Sequence, residues 1–101
     1  MIKKNKKTTL TSQEIRELRG KLHHLKPVVI IGNKGLSETV IQEINRALND
    51  HELIKIRIQA KDRKDLSKIT NEICTQTNST LINTIGHIAS IYRKNLQKEE
   101  L

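Results

Sequence analysis

The sequence predicts a mixed α/β domain in which three helices pack on one side of a four-stranded sheet. Apolar residues recur at helical spacing in three segments, and four shorter segments are either continuously apolar or alternate with a period of two. The segments follow the order helix, strand, helix, strand, helix, strand, strand, that is α-β-α-β-α-β-β. Strand-helix-strand units favour parallel pairing, whereas a final hairpin adds an antiparallel pair, so the sheet is mixed.

The length of 101 residues fits a single domain, which we expect over 10–96. Residues 1–9 contain four lysines and few apolar side chains, which predicts a basic flexible arm. The polar stretch 97–101 predicts a flexible tail.

The first helix begins at Thr11, because Thr11 and Glu14 have the spacing of a capping box. Pro27 disfavours helical geometry at the residue before it and so ends the helix. Two stripes run along this helix about 100° apart. The apolar stripe contains Ile15, Leu18, Leu22 and Leu25, and the basic stripe contains Arg16, Arg19, His23 and Lys26.

A glycine-containing loop follows the first strand, the apolar run Val28-Val29-Ile30-Ile31. It reads Gly32-Asn33-Lys34-Gly35 and precedes a second helix that Ser37 can cap. Glycines let a phosphate approach the backbone closely, a helix N-terminus presents free N–H groups, and Lys34 adds a charge. A G-x-x-G pattern alone is a weak signal because turns need glycine, but the loop is a candidate phosphate-binding site.

The segment Leu53 to Gln59 predicts a strand with one dry face and one wet, basic face. Ile54, Ile56 and Ile58 alternate with Lys55, Arg57 and Gln59. A third helix follows, capped by Asp62 or Asp65, and then two strands over 80–85 and 88–93 with a turn at Gly86-His87. Arg93 ends the last strand, and we expect it to join Lys55 and Arg57 on one surface.

The charge balance favours a polyanionic partner. Lys and Arg number 19 against 11 Asp and Glu, which gives a formal net charge of +8. No apolar run approaches a membrane span, so we expect a soluble, cytoplasmic protein that binds no membrane. Tyr92 is the only aromatic residue, so base stacking on aromatic rings contributes little.

The sequence predicts neither an enzyme nor a metal or cofactor site. Cys74 is the single cysteine and lies beside Ile73 on an apolar helix face, as a small buried residue would. His23 and His24 are adjacent and point about 100° apart on a helix, which is a poor arrangement for a shared metal ion. A nucleophile with a base and an orienting acid cannot be assembled from the remaining side chains.

Four separated segments resemble the CRM domain, in particular its bacterial, YhbY-like stand-alone form. They are Leu25 to Leu36, His51 to Ile56, Ile85-Gly86 and Ile91-Tyr92-Arg93, in an order and spacing that extend from Leu10 to Arg93. The resemblance implies a fold like the C-terminal domain of translation initiation factor three. It also implies binding to ribosomal RNA in large-subunit precursors and a role in ribosome assembly. The loop centre Asn33-Lys34 carries one charge where many CRM loops carry more.

We therefore predict a monomeric protein that binds structured RNA through its phosphate backbone. The predicted contacts are Gly32, Asn33, Lys34, Gly35, Lys55, Arg57, Arg93, Arg16, Arg19 and Lys26. One alternative is a protein-interaction module that docks an acidic partner through the basic face, and salt-sensitive binding to bare RNA separates the two. A second alternative is a DNA-binding domain; it lacks an apparent helix-turn-helix, and DNA competition tests it.

Overall fold

The computed structural model describes residues 10–95 and shows three helices and four strands in the predicted order. The predicted arm 1–9 and the tail 97–101 lie outside the described residues. The elements are α1 (Ser12–Lys21), a 3-10 turn (Leu22–His24), β1 (Pro27–Ile31), α2 (Glu38–His51), β2 (Leu53–Ile58), α3 (Arg63–Thr77), β3 (Thr80–Ile85) and β4 (Ile88–Tyr92).

Each helix begins at a cap that the sequence predicts. The Thr11 hydroxyl accepts from the Glu14 N–H at 3.1 Å, and the Glu14 carboxylate accepts from the Thr11 N–H at 2.8 Å, which completes the capping box. Ser37 caps α2 and Asp62 caps α3 through the same hydroxyl or carboxylate contact with a backbone N–H. These contacts satisfy N–H groups that a helix start otherwise leaves without a partner.

The four strands form one mixed sheet in the order β1-β2-β4-β3. β1 and β2 pair in parallel through the α2 crossover, whereas β4 pairs antiparallel with both β2 and β3. β1 and β3 are therefore the edge strands. The predicted mixed α/β class and the predicted hairpin are both confirmed.

The main core fills the space between α2, α3 and one face of the sheet, which we call the covered face. Isoleucine supplies most of it, because β-branched side chains pack well on a pleated surface. The alternation in β2 places Ile54, Ile56 and Ile58 in this core, where each is buried. The helices contribute Ile44, Leu48, Leu66, Ile73 and Cys74.

α1 packs on the opposite face of the sheet, which corrects the expectation that all helices lie on one side. Leu53 and Ile54 are neighbours in β2 and point to opposite faces, and they belong to different apolar clusters. Leu53 packs with Leu18 and Leu22 of the first helical segment and with Ile82 of β3. α1 covers one end of this second face, and the remainder forms what we call the open face.

Candidate nucleic-acid interface

The open face carries two rows of side chains, because directly paired residues of neighbouring strands point to the same face. All of these side chains are exposed or half-exposed except that of Ser90, which is buried. The row at the far end from α1 contains Ile30, Arg57, Ile88 and Ile85, one residue from each strand in the order β1, β2, β4, β3. The next row contains Lys55, Ser90 and Asn83. Beyond it, Leu53 and Tyr92 lie under α1.

The glycine loop lies at the same end of the sheet as the first of these rows. The Gly35 N–H donates to the Gly32 carbonyl at 3.0 Å, and Gly35 has φ of 75°, a left-handed conformation that favours glycine. The Gln59 N–H donates to the Ile31 carbonyl, which joins the start of this loop to the end of β2. Lys34 is exposed at the tip of the loop. Lys34 and Arg57 therefore both lie at this end of the sheet.

The α2 N-terminus contributes less to anion binding than the sequence suggests. The Ser37 hydroxyl already accepts from the Val40 N–H, and Glu38 puts a negative charge in the first turn. Both reduce the positive potential that the free N–H groups of a helix start otherwise present. The charge of Lys34 therefore carries more of any phosphate contact at this loop than the helix does.

Two lysines that sequence reasoning overlooked stand next to the loop. A depression of about 440 Å³ between the loop and α3 is bordered by Lys61 and Lys68. Asp65 and Glu72 border it as well, so its charge is mixed. The basic residues Lys61, Arg63 and Lys64 are the signal in the sequence that could have identified Lys61, whereas Lys68 lies outside this run.

Lys55 and Arg57 share the open face, as predicted, but they differ in exposure and in hydrogen bonding. The Lys55 ammonium is half-buried and donates to the Leu25 carbonyl at 3.0 Å, which ties the segment before β1 to β2. An ammonium has three N–H donors, so this contact leaves two for a ligand. Arg57 is exposed. A ligand at Arg57 would displace no hydrogen bond among residues 10–95, unlike a ligand that takes the Lys55 donor used by Leu25.

Arg93 lies on the other side of the sheet, so the expectation that it joins Lys55 and Arg57 is wrong. It follows Tyr92 by one residue and consequently points toward the covered face. Its guanidinium donates to the Asn45 side-chain oxygen at 2.8 Å, the Thr77 carbonyl at 2.7 Å and the Asn49 side-chain oxygen at 2.9 Å. Burial lowers the pKa of this guanidinium below its usual value. The residue joins the end of β4 to α2 and α3.

Three of the four residues in the basic stripe of the first helical segment border two different depressions, and Arg16 borders neither. Arg16, Arg19, His23 and Lys26 are all exposed. Arg19 and His23 border a groove on the open face together with Lys55. Lys26 borders a different depression, of about 490 Å³, near His24 and His51. The 3-10 turn after Lys21 breaks the regular helical spacing, which accounts for this division.

Exposed aliphatic side chains on the open face were not expected from the sequence. Ile30 is 69% exposed and Ile85 is 72% exposed, and they stand at the two ends of the row that contains Arg57. A continuous apolar run such as Val28 to Ile31 does not show which of its residues remain exposed. The interface is consequently amphipathic rather than purely basic.

Within residues 10–95, no cluster of three or more His, Cys, Asp or Glu side chains could hold a metal ion. The same part of the chain contains no helix that is both long enough and apolar enough to cross a membrane. Cys74 is buried in the main core, as the sequence predicts.

The fold and the site together define a small basic α/β domain with a glycine loop at one end of a partly uncovered sheet. The CRS1 / YhbY (CRM) domain family model matches residues 10–93, and the chain belongs to this family. The predicted family membership is confirmed, and with it the expectation of a domain that is not an enzyme.

Relatives in several bacteria are similar over most of the chain. Probable RNA-binding protein PA4753 of Pseudomonas aeruginosa is 44% identical over 85% of this chain and 83% of its own length. An RNA-binding protein of Haemophilus influenzae is 45% identical over 85% of this chain and 87% of its own length. The solution structure of the hypothetical protein SAV1595 from Staphylococcus aureus superposes with a TM-score of 0.75 at 31% identity, covering 85% of this chain and 90% of that one.

Proposed function

We propose that this protein binds structured RNA through the phosphate backbone, using the open face and the glycine loop. The observation that carries the proposal is the placement of Arg57, Lys55 and Lys34 along one end and one face of the sheet. Arg19 extends this cationic surface from the helix above. A net charge of +8 favours the same class of ligand.

The family relationship supports RNA as the polyanion. The relatives from Pseudomonas aeruginosa and Haemophilus influenzae both carry names that describe RNA-binding proteins, and the similarity extends over 85% of this chain. The family match over residues 10–93 includes the loop and both rows of the open face. RNA is therefore favoured over an acidic protein and over DNA.

The contacts on β2 and at the loop suit phosphates better than bases. Lysine and arginine side chains supply charge and donors without reading a sequence, whereas aromatic side chains that stack on bases are limited to Tyr92. Tyr92 packs in the cluster under α1. Affinity therefore comes mainly from electrostatic contacts with the backbone of a folded RNA.

The particular RNA in this proposal is ribosomal RNA of large-subunit precursors, bound in the cytoplasm during ribosome assembly. The support is the resemblance of Leu25 to Leu36, and of the three later segments, to the YhbY-like form of the CRM domain. Crosslinking in cells, followed by sequencing of the bound RNA, tests this assignment. Enrichment of messenger or transfer RNA instead of ribosomal RNA would contradict it.

A salt titration of Arg57→Ala against Arg46→Ala tests the phosphate contacts. Arg46 is exposed on α2, which packs on the covered face, so the control removes the same charge from another surface. Loss of one phosphate contact lowers the slope of log K against log salt by roughly 0.7 to 0.9. We expect this change for Arg57→Ala only, with similar factors on a ribosomal helix and on an unrelated RNA of equal structure.

Equal effects of the two substitutions would show that the open face is not the binding surface. An effect of Arg57→Ala confined to one RNA would indicate base recognition instead of phosphate contact. Absence of any salt-sensitive binding to bare RNA by the parent protein would favour the module that docks an acidic partner.

A further inference from the structure

A groove of about 170 Å³ lies on the open face where the 3-10 turn approaches the sheet. Its walls are aliphatic and come from Leu22, Ile85 and Ile88, whereas Ser90 and Asn83 supply polar groups. Ser90 and Asn83 are directly paired across β4 and β3, so both side chains belong to the same row. The groove therefore combines apolar walls with a polar edge.

Ser90 is the residue of this groove whose side chain most clearly indicates a missing hydrogen-bond partner. Its side chain is 2% exposed, yet its hydroxyl makes no hydrogen bond to any residue within 10–95. The other buried hydroxyls of that part of the chain, those of Thr70, Thr77 and Ser79, are all hydrogen-bonded. A buried hydroxyl without a partner costs stability, so its presence needs an explanation.

Cationic side chains stand at the rim of the same groove. Arg19 borders it from α1 and Lys55 borders it from β2, with two ammonium N–H donors of Lys55 left after its contact with the Leu25 carbonyl. A ligand for this groove has flat apolar faces, a polar edge and a negative charge close by. A nucleotide has all three features.

We propose that the groove holds one unstacked nucleobase of the bound RNA. The base packs its faces against Leu22, Ile85 and Ile88, and its polar edge meets the Ser90 hydroxyl and the Asn83 amide. The neighbouring phosphate lies at Arg19 and Lys55. The proposal rests on the RNA-binding function above and names the class of RNA: a folded RNA with unpaired nucleotides in a loop, bulge or end.

A continuous duplex cannot supply this ligand. The bases of an A-form helix are stacked and paired, so a protein meets phosphates and 2′-hydroxyls along most of its surface. Unpaired nucleotides can turn a base outward, and sequence-specific RNA recognition mostly uses such bases. The open face therefore distinguishes RNA by the presence of unpaired bases, while the surrounding cations bind any phosphate backbone.

Two hairpins with the same stem test the groove. One has an ordinary loop of unpaired nucleotides, and the other has abasic nucleotides in that loop, so the number of phosphates is unchanged. We expect the parent to bind the ordinary hairpin more tightly. Ser90→Ala should weaken binding to it by roughly three- to tenfold, the size of one hydrogen bond, and leave binding to the abasic hairpin unchanged.

The stability of Ser90→Ala provides an independent measurement. The substitution removes a buried hydroxyl that has no partner among residues 10–95, so we expect its thermal midpoint to equal or exceed that of the parent. Weaker loop binding by a protein that is no less stable cannot be attributed to unfolding.

Ile85→Ser and Leu81→Ser form a matched pair for the apolar wall. Both residues are exposed aliphatics of β3, but Ile85 pairs with Ile88 on the open face and Leu81 pairs with Ile91 of the main core. We expect Ile85→Ser to weaken binding to the ordinary hairpin by roughly five- to tenfold, because apolar surface that the base would bury is lost. Leu81→Ser should leave that affinity unchanged.

Several results would overturn the proposal. Equal affinity of the parent for both hairpins, or an equal loss on both with Ser90→Ala, would exclude a base in the groove and leave the phosphate contacts intact. Unchanged RNA binding by Ser90→Ala and Ile85→Ser would also exclude a nucleobase in the groove. It would favour a side chain of a partner protein as the occupant. Failure of the parent to bind either hairpin would overturn the RNA-binding function together with the groove.

Discussion

The two faces of the sheet are built from the same strands but are covered to different extents. The covered face is closed by two helices over a continuous isoleucine core. The second face has a smaller cluster under α1, and beyond it two rows that remain partly open. One face supplies most of the stability, and the other is left available for a ligand.

Arg57 and Arg93 show what this difference means for a single residue type. Arg57 lies in β2, Arg93 directly follows the neighbouring strand β4, and both look like surface cations in the sequence. Arg93 donates hydrogen bonds to α2 and α3 beside the covered face, whereas Arg57 remains exposed on the open face. Of these two arginines, the one beside the covered face is tied into the domain and the one on the open face is exposed.

The largest effects on the free energy of unfolding are expected for substitutions in the two apolar clusters, and they should differ between the clusters. Ile56 is fully buried in the main core, and Ile56→Ala should lower the free energy of unfolding by about 3–4 kcal/mol. Leu18 is 9% exposed in the smaller cluster, so Leu18→Ala should cost about 2 kcal/mol because its site can relax toward solvent. Urea unfolding measures both. A larger loss for Leu18→Ala would reverse the assignment of the main core.

Arg93→Ala should lower the free energy of unfolding by about 2 kcal/mol, because several charged hydrogen bonds are lost at once. Arg57→Ala should change it by less than about 0.5 kcal/mol, as exposed substitutions usually do. For RNA affinity we expect the opposite order, with only Arg57→Ala weakening binding. Urea unfolding measures the stability of the two variants, and RNA titration of the same proteins measures their affinity. Weaker RNA binding by a fully folded Arg93→Ala protein would show that Arg93 is part of the RNA-binding surface.

Cys74→Ser tests whether the covered face influences binding at all. Cys74 is buried in the main core, and a serine there should lower the free energy of unfolding by about 1 kcal/mol because a hydroxyl replaces a small apolar group. RNA affinity should stay at the parent value, since α3 holds this side chain on the face away from Arg57. Loss of affinity in a folded Cys74→Ser protein would show that the two faces are coupled.

Substitutions in the loop are expected to have small effects on stability. Lys34→Ala should change the free energy of unfolding by less than about 0.5 kcal/mol, because Lys34 is exposed. Gly35→Asp should cost about 1 kcal/mol through its φ of 75° and should also place a negative charge near the phosphate. Both variants should bind RNA more weakly at low salt. If Lys34→Ala bound RNA as tightly as the parent, the loop would not be part of the RNA-binding surface.

Local signals in the sequence were sufficient for the elements themselves. Caps depend on residues three apart, so Thr11 and Ser37 could be recognised without knowledge of the fold, whereas Asp62 and Asp65 remained alternatives for the third helix. The alternation in β2 likewise placed Ile56 in the core and Arg57 outside it. The strand-helix-strand order then restricted the topology to a mixed sheet.

Only the tertiary structure decided which surfaces meet. A stripe of apolar residues shows that α1 must pack on something, but not on which face of the sheet. The contacts of Arg93 with α2 and α3, the exposure of Ile30 and Ile85, and the buried Ser90 hydroxyl, which has no partner within residues 10–95, were likewise visible only in the folded domain. These features depend on contacts between residues far apart in the chain. Periodicity along a single element carries no information about such contacts.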